Sequence, residues 1–202
     1  MKLYYSPGAC SLSPHIVLRE ADMDFEIERV DHANHLTETG ADFMQINPKG
    51  YVPALRLDDG QVLTEGAAIV QFIADLHPAS GLAPKPGTLE RTRLQEHLNY
   101  IATEYHKAFG PFFASDATEA AKAAAAINVK HRLDHFERIF ADGRSYLLGD
   151  TFSVADAYLF VVSTWTKPTG ISLEKWPNVA GFVTRVAGRE KVREAMRAEG
   201  LL

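Results

Sequence analysis

The residue with the most chemistry to offer is the single cysteine, Cys10. It closes the glycine-containing turn Ser6-Pro7-Gly8-Ala9-Cys10, after a short aromatic run and just before a helix-prone stretch. A thiol in that place meets the positive end of a helix dipole and unpaired backbone amides, both of which favour thiolate. A lone cysteine is more commonly a buried small hydrophobe; here its position favours function.

Three other spots invite chemistry. Val52-Pro53 follows Asn47-Pro48-Lys49-Gly50-Tyr51 and opens a strand. A cis bond there would present the Val52 backbone to an extended ligand. A proline starting a strand is unremarkable, and only about 5–6% of such bonds are cis, so the residues alone favour trans. Thr64-Glu65-Gly66 opens a helix. Exposed amides there suit a carboxylate and Glu65 suits an ammonium group, together an amino-acid-like head. Equally, an acidic residue in a first turn simply complements the helix dipole. Further on, Asn99, Thr103, His106 and Lys107 lie on one helical stretch. At 100° per residue, positions 103, 106 and 107 fall at about +40°, −20° and +80° from Asn99, a shared polar face, while Glu104 falls near 140°. His106 on such a face could hydrogen-bond a thiol, although an exposed helix histidine is ordinarily just solvated. The other histidines (15, 32, 77, 97, 131 and 135) show no ligand pattern and read as surface. Nothing resembles a metal motif, and one cysteine builds neither an internal disulfide nor a multi-thiolate site.

The elements that must position these residues fall into two groups. Pro78 to Gly87 packs three prolines and two glycines into ten residues, which reads as a linker over 79–88. Before it, over residues 1–78, Lys2 to Tyr5 is a strand. Ser13-Pro14 opens a helix through Ala21 with Ser13 as N-cap. Phe25 to Val30 alternates as a half-buried strand. Ala54 to Leu57 and Gln61 to Leu63 form a hairpin about Asp58-Asp59-Gly60. Glu65 to His77 has helical apolar spacing. That order predicts a small α/β sheet domain. Over 89–202 no strand is evident. Leu89 to about Phe113 predicts one helix of about 25 residues, or about 37 Å. The alanine-rich stretch Thr118 to Phe140 predicts a second. Ser153-Val154-Ala155-Asp156 is a capping box that opens a buried third. Shorter helices follow Pro177 and Gly188.

The chain has 202 residues, 46% hydrophobic and 23% charged, the composition of a folded globular protein. A net charge of −5 gives no basic footprint for nucleic acid. No run approaches the roughly 20 apolar residues that span a bilayer. The N-terminus lacks an apolar signal region, so the reducing cytoplasm is the expected compartment.

Six segments together resemble bacterial beta-class glutathione S-transferases: Lys2 to Ser13, Asn47 to Pro53, Thr64 to Gly66, Leu98 to Lys107, Ser153 to Phe160, and the ending Arg197 to Leu202. The similarity runs along essentially the whole chain. It implies a thioredoxin-like N-terminal domain, an all-helical C-terminal domain carrying the electrophile site, and a homodimer. It also implies a glutathione site in which Cys10 meets the sulfur, able to form a mixed disulfide with it. The Val52 backbone, beside Tyr51 and a cis Pro53, takes the cysteinyl unit. Glu65 and Gly66 hold the γ-glutamyl end. His106 and Lys107 approach the sulfur and glycyl side, with Asn99, Thr103 and Glu104 nearby, partly across the dimer interface. Where such proteins often carry lysine, this chain has His35, shorter and mostly neutral at pH 7. The exchange predicts weaker glutathione binding that tightens as pH falls, unless His32 or Lys49 takes over the glycyl carboxylate.

The activity so implied presents the glutathione thiolate to small hydrophobic electrophiles. Reductive dehalogenation or disulfide reduction through a Cys10 mixed disulfide is the alternative. The Tyr5-Ser6-Pro7 version of the turn resembles members from aromatic-degradation pathways, which keeps dehalogenation open. A binding protein for glutathione or hydrophobic compounds is the non-enzymatic alternative. Tyr4, Tyr5 and Ser11 are rival thiol activators of lower weight than Cys10. Phe109, Phe112, Phe113 and Trp165 are candidate electrophile-pocket residues, although aromatics at helical spacing are more often core.

Overall fold

The structure, a computed structural model, describes residues 1–202 and divides into two compact units: Met1–Ala83 with Gly188–Leu202, and Pro84–Ala187. In the first, β1 (Lys2–Tyr5) leads to α1 (Leu12–Glu20), β2 (Glu26–Asp31), β3 (Leu36–Thr37), α2 (Phe43–Ile46), β4 (Ala54–Arg56), β5 (Val62–Thr64) and α3 (Gly66–Leu76). The sheet order is β3-β2-β1-β4-β5. β1 is parallel to β2, with Leu3 opposite Ile27, and antiparallel to β4, with Leu3 opposite Leu55. The period of two along β1 separates its side chains. Tyr5 lies 6.3 Å from the His15 ring of α1, while Tyr4 lies 5.7 Å from Phe43 of α2. Tyr4, Val30, Phe43, Val52 and Ala54 form one buried cluster. The α/β sheet and the Asp-Gly hairpin follow the sequence expectation. β3 and α2 do not, because two residues and one turn are too short to show a period.

The second unit is helical: α4 (Leu89–Tyr100), α5 (His106–Ala108), α6 (Gly110–Phe113), α7 (Glu119–Phe140), α8 (Val154–Thr164) and α9 (Pro177–Ala187). The expected single helix from Leu89 to Phe113 is broken. Ile101–Tyr105 winds as a wider π-helix between α4 and α5. Thr103 Oγ1 donates to the Asn99 carbonyl at 2.9 Å, a contact that competes with the normal i→i−4 ladder. Gly110-Pro111 then restarts the chain as α6, proline at a first-turn position where its missing N–H costs nothing. α8 is buried from Val154 to Ser163, and Phe140 of α7 stacks on Phe182 of α9 at 4.9 Å.

The last helix, α10 (Glu190–Ala198), belongs to the first unit. Sequence assigned 89–202 to one helical domain; the structure instead groups Gly188–Leu202 with the sheet. Val192 and Ala195 of α10 are buried, and the helix packs on α1. Arg189 holds Glu20 through two bonds of 2.6 and 2.7 Å.

Candidate functional site

In the first unit the Ser6–Cys10 turn sits between β1 and α1. Ser11 precedes α1 and makes no cap bond, which corrects the expected Ser13 cap. Its hydroxyl instead accepts from Ser6 N at 3.1 Å and donates to Ser6 O at 3.2 Å, pinning the turn's start. Cys10 is half-buried, and its thiol donates to the Val52 carbonyl at 3.3 Å. The Val52-Pro53 bond is cis, against the trans form that residue statistics favour. A Cβ placed on Gly66 would lie 3.6 Å from Pro53 Cγ, so thiol, Val52 backbone, Pro53 and the start of α3 form one continuous strip. α3 carries no side-chain cap, which leaves its first amides open to an anion. Glu65, just before it, has φ 67, a conformation that costs a non-glycine residue about 1–3 kcal/mol and is typically found where a ligand is clamped.

Glu65 is engaged here by this chain's own cation. Lys49 Nζ donates to Glu65 Oε1 at 2.7 Å and to Thr64 Oγ1 at 3.0 Å. Asn47 shapes the loop between them, its amide donating to Tyr51 O at 2.7 Å. Tyr51 is exposed. His35 is exposed too, with φ 53, and its ring lies near Gly50. The rival activators are poorly placed. Tyr4 and Tyr5 are buried, which pushes both phenols up, and Ser11 is committed to Ser6.

In the second unit, Asn99, Thr103 and Lys107 are exposed. His106 is not on their solvated face, because the intervening π-turn breaks the 100° spacing on which that expectation rested. Its Nδ1 lies 2.7 Å from the Tyr158 hydroxyl, and its ring meets Trp165 edge-on at 4.8 Å. Burial, with a smaller push from the Lys107 charge, lowers its pKa to about 4. His106 is therefore a neutral imidazole at physiological pH, able to donate or accept a hydrogen bond but not to serve as a cation. Glu104 pairs with Arg132 at 2.6 Å. Phe109 and Trp165 are buried core residues, whereas Phe113 is exposed against Trp165 at 5.4 Å.

Sequence reading missed two residues at the Cys10 turn. His15, read as surface, is fully buried. Its Nδ1 meets Glu199 Oε1 at 2.8 Å, and Glu199 Oε2 accepts from Gly8 N at 3.0 Å. One signal was present: an acidic residue at the end of α10 opposes the helix dipole and so calls for a partner elsewhere. No group of three histidine, cysteine, aspartate or glutamate side chains is placed to hold a metal ion. No helix is long and apolar enough to cross a membrane.

A mixed five-stranded sheet presenting a thiol beside a cis X-Pro bond, with a separate helical unit, has close counterparts among known proteins. A family model described as the glutathione S-transferase N-terminal domain matches residues 8–76, and one described as the C-terminal domain matches residues 100–190. Glutathione S-transferase GstA of Escherichia coli O157:H7 is 43% identical over 201 residues, with 100% of both chains covered. A solved sphingomonad glutathione S-transferase complexed with glutathione matches at TM-score 0.96 and 49% identity, again over 100% of both chains. The chain belongs to the glutathione S-transferase family. Within it the likeness is to the bacterial beta class: the solved beta-class enzyme of Sphingomonas chungbukensis matches at TM-score 0.97 and 46% identity over 100% of both chains.

Proposed function

We propose that the chain is a glutathione transferase that binds glutathione on the strip built by Cys10, Tyr51, Val52, Pro53, Glu65 and Gly66, and transfers its sulfur to small hydrophobic electrophiles. The observation that carries this reading is the 3.3 Å contact of the Cys10 thiol with the Val52 carbonyl, in continuity with the uncapped start of α3. An extended γ-glutamyl tripeptide suits that strip. Its α-carboxylate meets the open amides of α3, its ammonium meets Glu65, and its central backbone pairs with Val52, which brings its sulfur to Cys10. In conjugation the glutathione thiolate forms a bond to the electrophilic carbon, the leaving group departs with its electron pair, and the thiol proton passes to solvent. For Asn99, Thr103, Glu104, His106 and Lys107 the family resemblance supplies the expectation of a glutathione contact. A neutral His106 would act there as a hydrogen-bond partner of sulfur. His35 is assigned to the glycyl end on the same basis. The working form is proposed to be a cytoplasmic homodimer.

Turnover with a chloronitrobenzene, a mixed disulfide and a chlorinated aromatic acid, each with and without glutathione, tests the reading. Glutathione-dependent turnover of the first is expected. In Cys10→Ala, conjugation should persist while disulfide exchange is lost, because only exchange needs a second sulfur to form the mixed disulfide. Tight glutathione binding without turnover of any substrate would instead make the chain a binding protein.

A further inference from the structure

The Cys10 turn is held from its start by Ser11, and from its middle by the far end of the chain. Glu199 is the last link of a directed chain of hydrogen bonds. Arginine offers only donors, so Arg19 Nε, 3.1 Å from His15 Nε2, donates to it. His15 Nδ1 then carries the ring proton and donates to Glu199 Oε1 at 2.8 Å. Oε2 is left to accept from Gly8 N at 3.0 Å. Neither the His15 nor the Glu199 side chain has any exposed surface.

The end of α10 is built to aim this carboxylate. Gly200 has φ 71, its N–H bonds Arg197 O at 3.0 Å, and Leu201 N–H bonds Met196 O at 2.9 Å. That pair of bonds is a Schellman ending, which fixes the residues on either side of the glycine. Glu199 is thereby turned inward, and the Leu201 side chain comes within 3.5 Å of where a Gly8 Cβ would stand. Gly8 itself has φ 70, so the middle of the turn is a left-handed residue to which Glu199 supplies a hydrogen bond and Leu201 an apolar neighbour. Cys10 is two residues further on.

We propose that Glu199 is a positioning residue for Cys10: by holding Gly8 N–H, the C-terminal Glu199-Gly200-Leu201 segment fixes the turn that points the thiol at the Val52 carbonyl. The consequence for turnover rests on the assignment of Cys10 to the glutathione sulfur; the consequence for the thiol does not.

Because Cys10 is the only cysteine of the 202 residues, its alkylation by iodoacetamide reports on this one group in the chain without glutathione. Glu199→Ala frees the turn, and alkylation should quicken by about 5- to 10-fold as the thiol leaves its fixed contact. The KM for glutathione should rise by a similar factor with kcat within about 2-fold, a split that a general loss of stability does not produce. Glu199→Gln keeps one carbonyl oxygen for Gly8 but sets an amide against the His15 proton, so an intermediate rate is expected, and it serves where the alanine variant does not fold. Arg189→Met is the control. It loosens α10 at Glu20 without touching the turn, so alkylation should stay within about 2-fold of wild type while the melting temperature falls. Equal changes in the arginine and glutamate variants, or folded Glu199 variants with the wild-type alkylation rate, would overturn the proposal. Faster alkylation with unchanged glutathione kinetics upholds the positioning of Cys10 and removes that thiol from the glutathione site.

Discussion

Asp156 of the helical unit and Glu199 of the sheet unit are both buried carboxylates, and the two are used in different ways. Asp156, in the helical unit, accepts from Leu147 N at 2.8 Å, Ser153 N at 2.9 Å and Ser153 Oγ at 2.6 Å. All of its partners lie within nine residues of it, and its work is local: it closes the N-terminus of α8 and ties down the loop before it. Glu199, in the sheet unit, takes its partners 184 and 191 residues away. A carboxylate of the first kind stabilises the element that carries it. One of the second kind joins the last helix to the turn that carries Cys10, and its loss is expected to be felt at a distance from its own helix.

Removing the local carboxylate should have the largest effect on folding. Asp156→Ala leaves two amides and a hydroxyl buried without an acceptor, which should cost about 3–5 kcal/mol. Differential scanning calorimetry should show a melting temperature lower by about 10 °C, and an unchanged value would mean that water replaces the carboxylate. Acid stability separates the groups further. His106, held by burial near pKa 4 against 6.5 for the unfolded side chain, binds its proton in the unfolded state first. Stability from this group is thus complete above pH 6.5 and lost as pH falls toward 4, on the order of 2–3 kcal/mol. Asp156 acts in the opposite sense. Burial outweighs its hydrogen bonds and raises it from 3.8 to about 6, so the folded state gains its proton first in that range. Denaturant titrations of wild type and His106→Gln at pH 7 and 4.5 isolate the imidazole. The variant should lose less stability on acidification, and parallel losses would remove His106 as the cause.

The contrast also explains what could be read from the residues alone. Ser153 and Asp156 stand three apart, so their capping box is a pattern within one turn. Cys10, Val52 and Glu65 were conspicuous because thiol, proline and glycine-bounded acid occupy the ends of regular elements. Three features were not legible. Glu199 and His15 meet only after the last helix docks on α1; an acid at a helix end signals that a partner is needed but not which residue supplies it. His106 turns inward because a π-turn precedes it, and that depends on competition at the Asn99 carbonyl rather than on apolar spacing. Lys49 lies in a loop, where no periodicity says which way a long side chain points.

A third carboxylate, Glu65, is exposed, and it sharpens the difference between holding the fold and holding a ligand. Glu65→Gln removes the charge assigned to the glutathione ammonium. The KM for glutathione should rise by about 10- to 100-fold, the worth of one charged hydrogen bond, with kcat and melting temperature little changed. A fall in melting temperature comparable to that of Asp156→Ala would show a structural role instead.

Lys49 offers the smallest and most discriminating change. Its ammonium occupies the Glu65 position that the ligand's ammonium would need, so ligand and lysine compete for one carboxylate. Both side chains are more than half exposed, and a pair of that kind contributes at most about 1 kcal/mol, so competition is worth no more than about 5-fold in affinity. If competition is the whole of its role, Lys49→Met should tighten glutathione binding by up to that factor in isothermal titration calorimetry at low salt. If Lys49 swings to the glycyl carboxylate in place of a lysine at position 35, the same variant should bind more weakly. The sign of one modest shift therefore decides whether Lys49 competes with glutathione for Glu65 or helps to hold it.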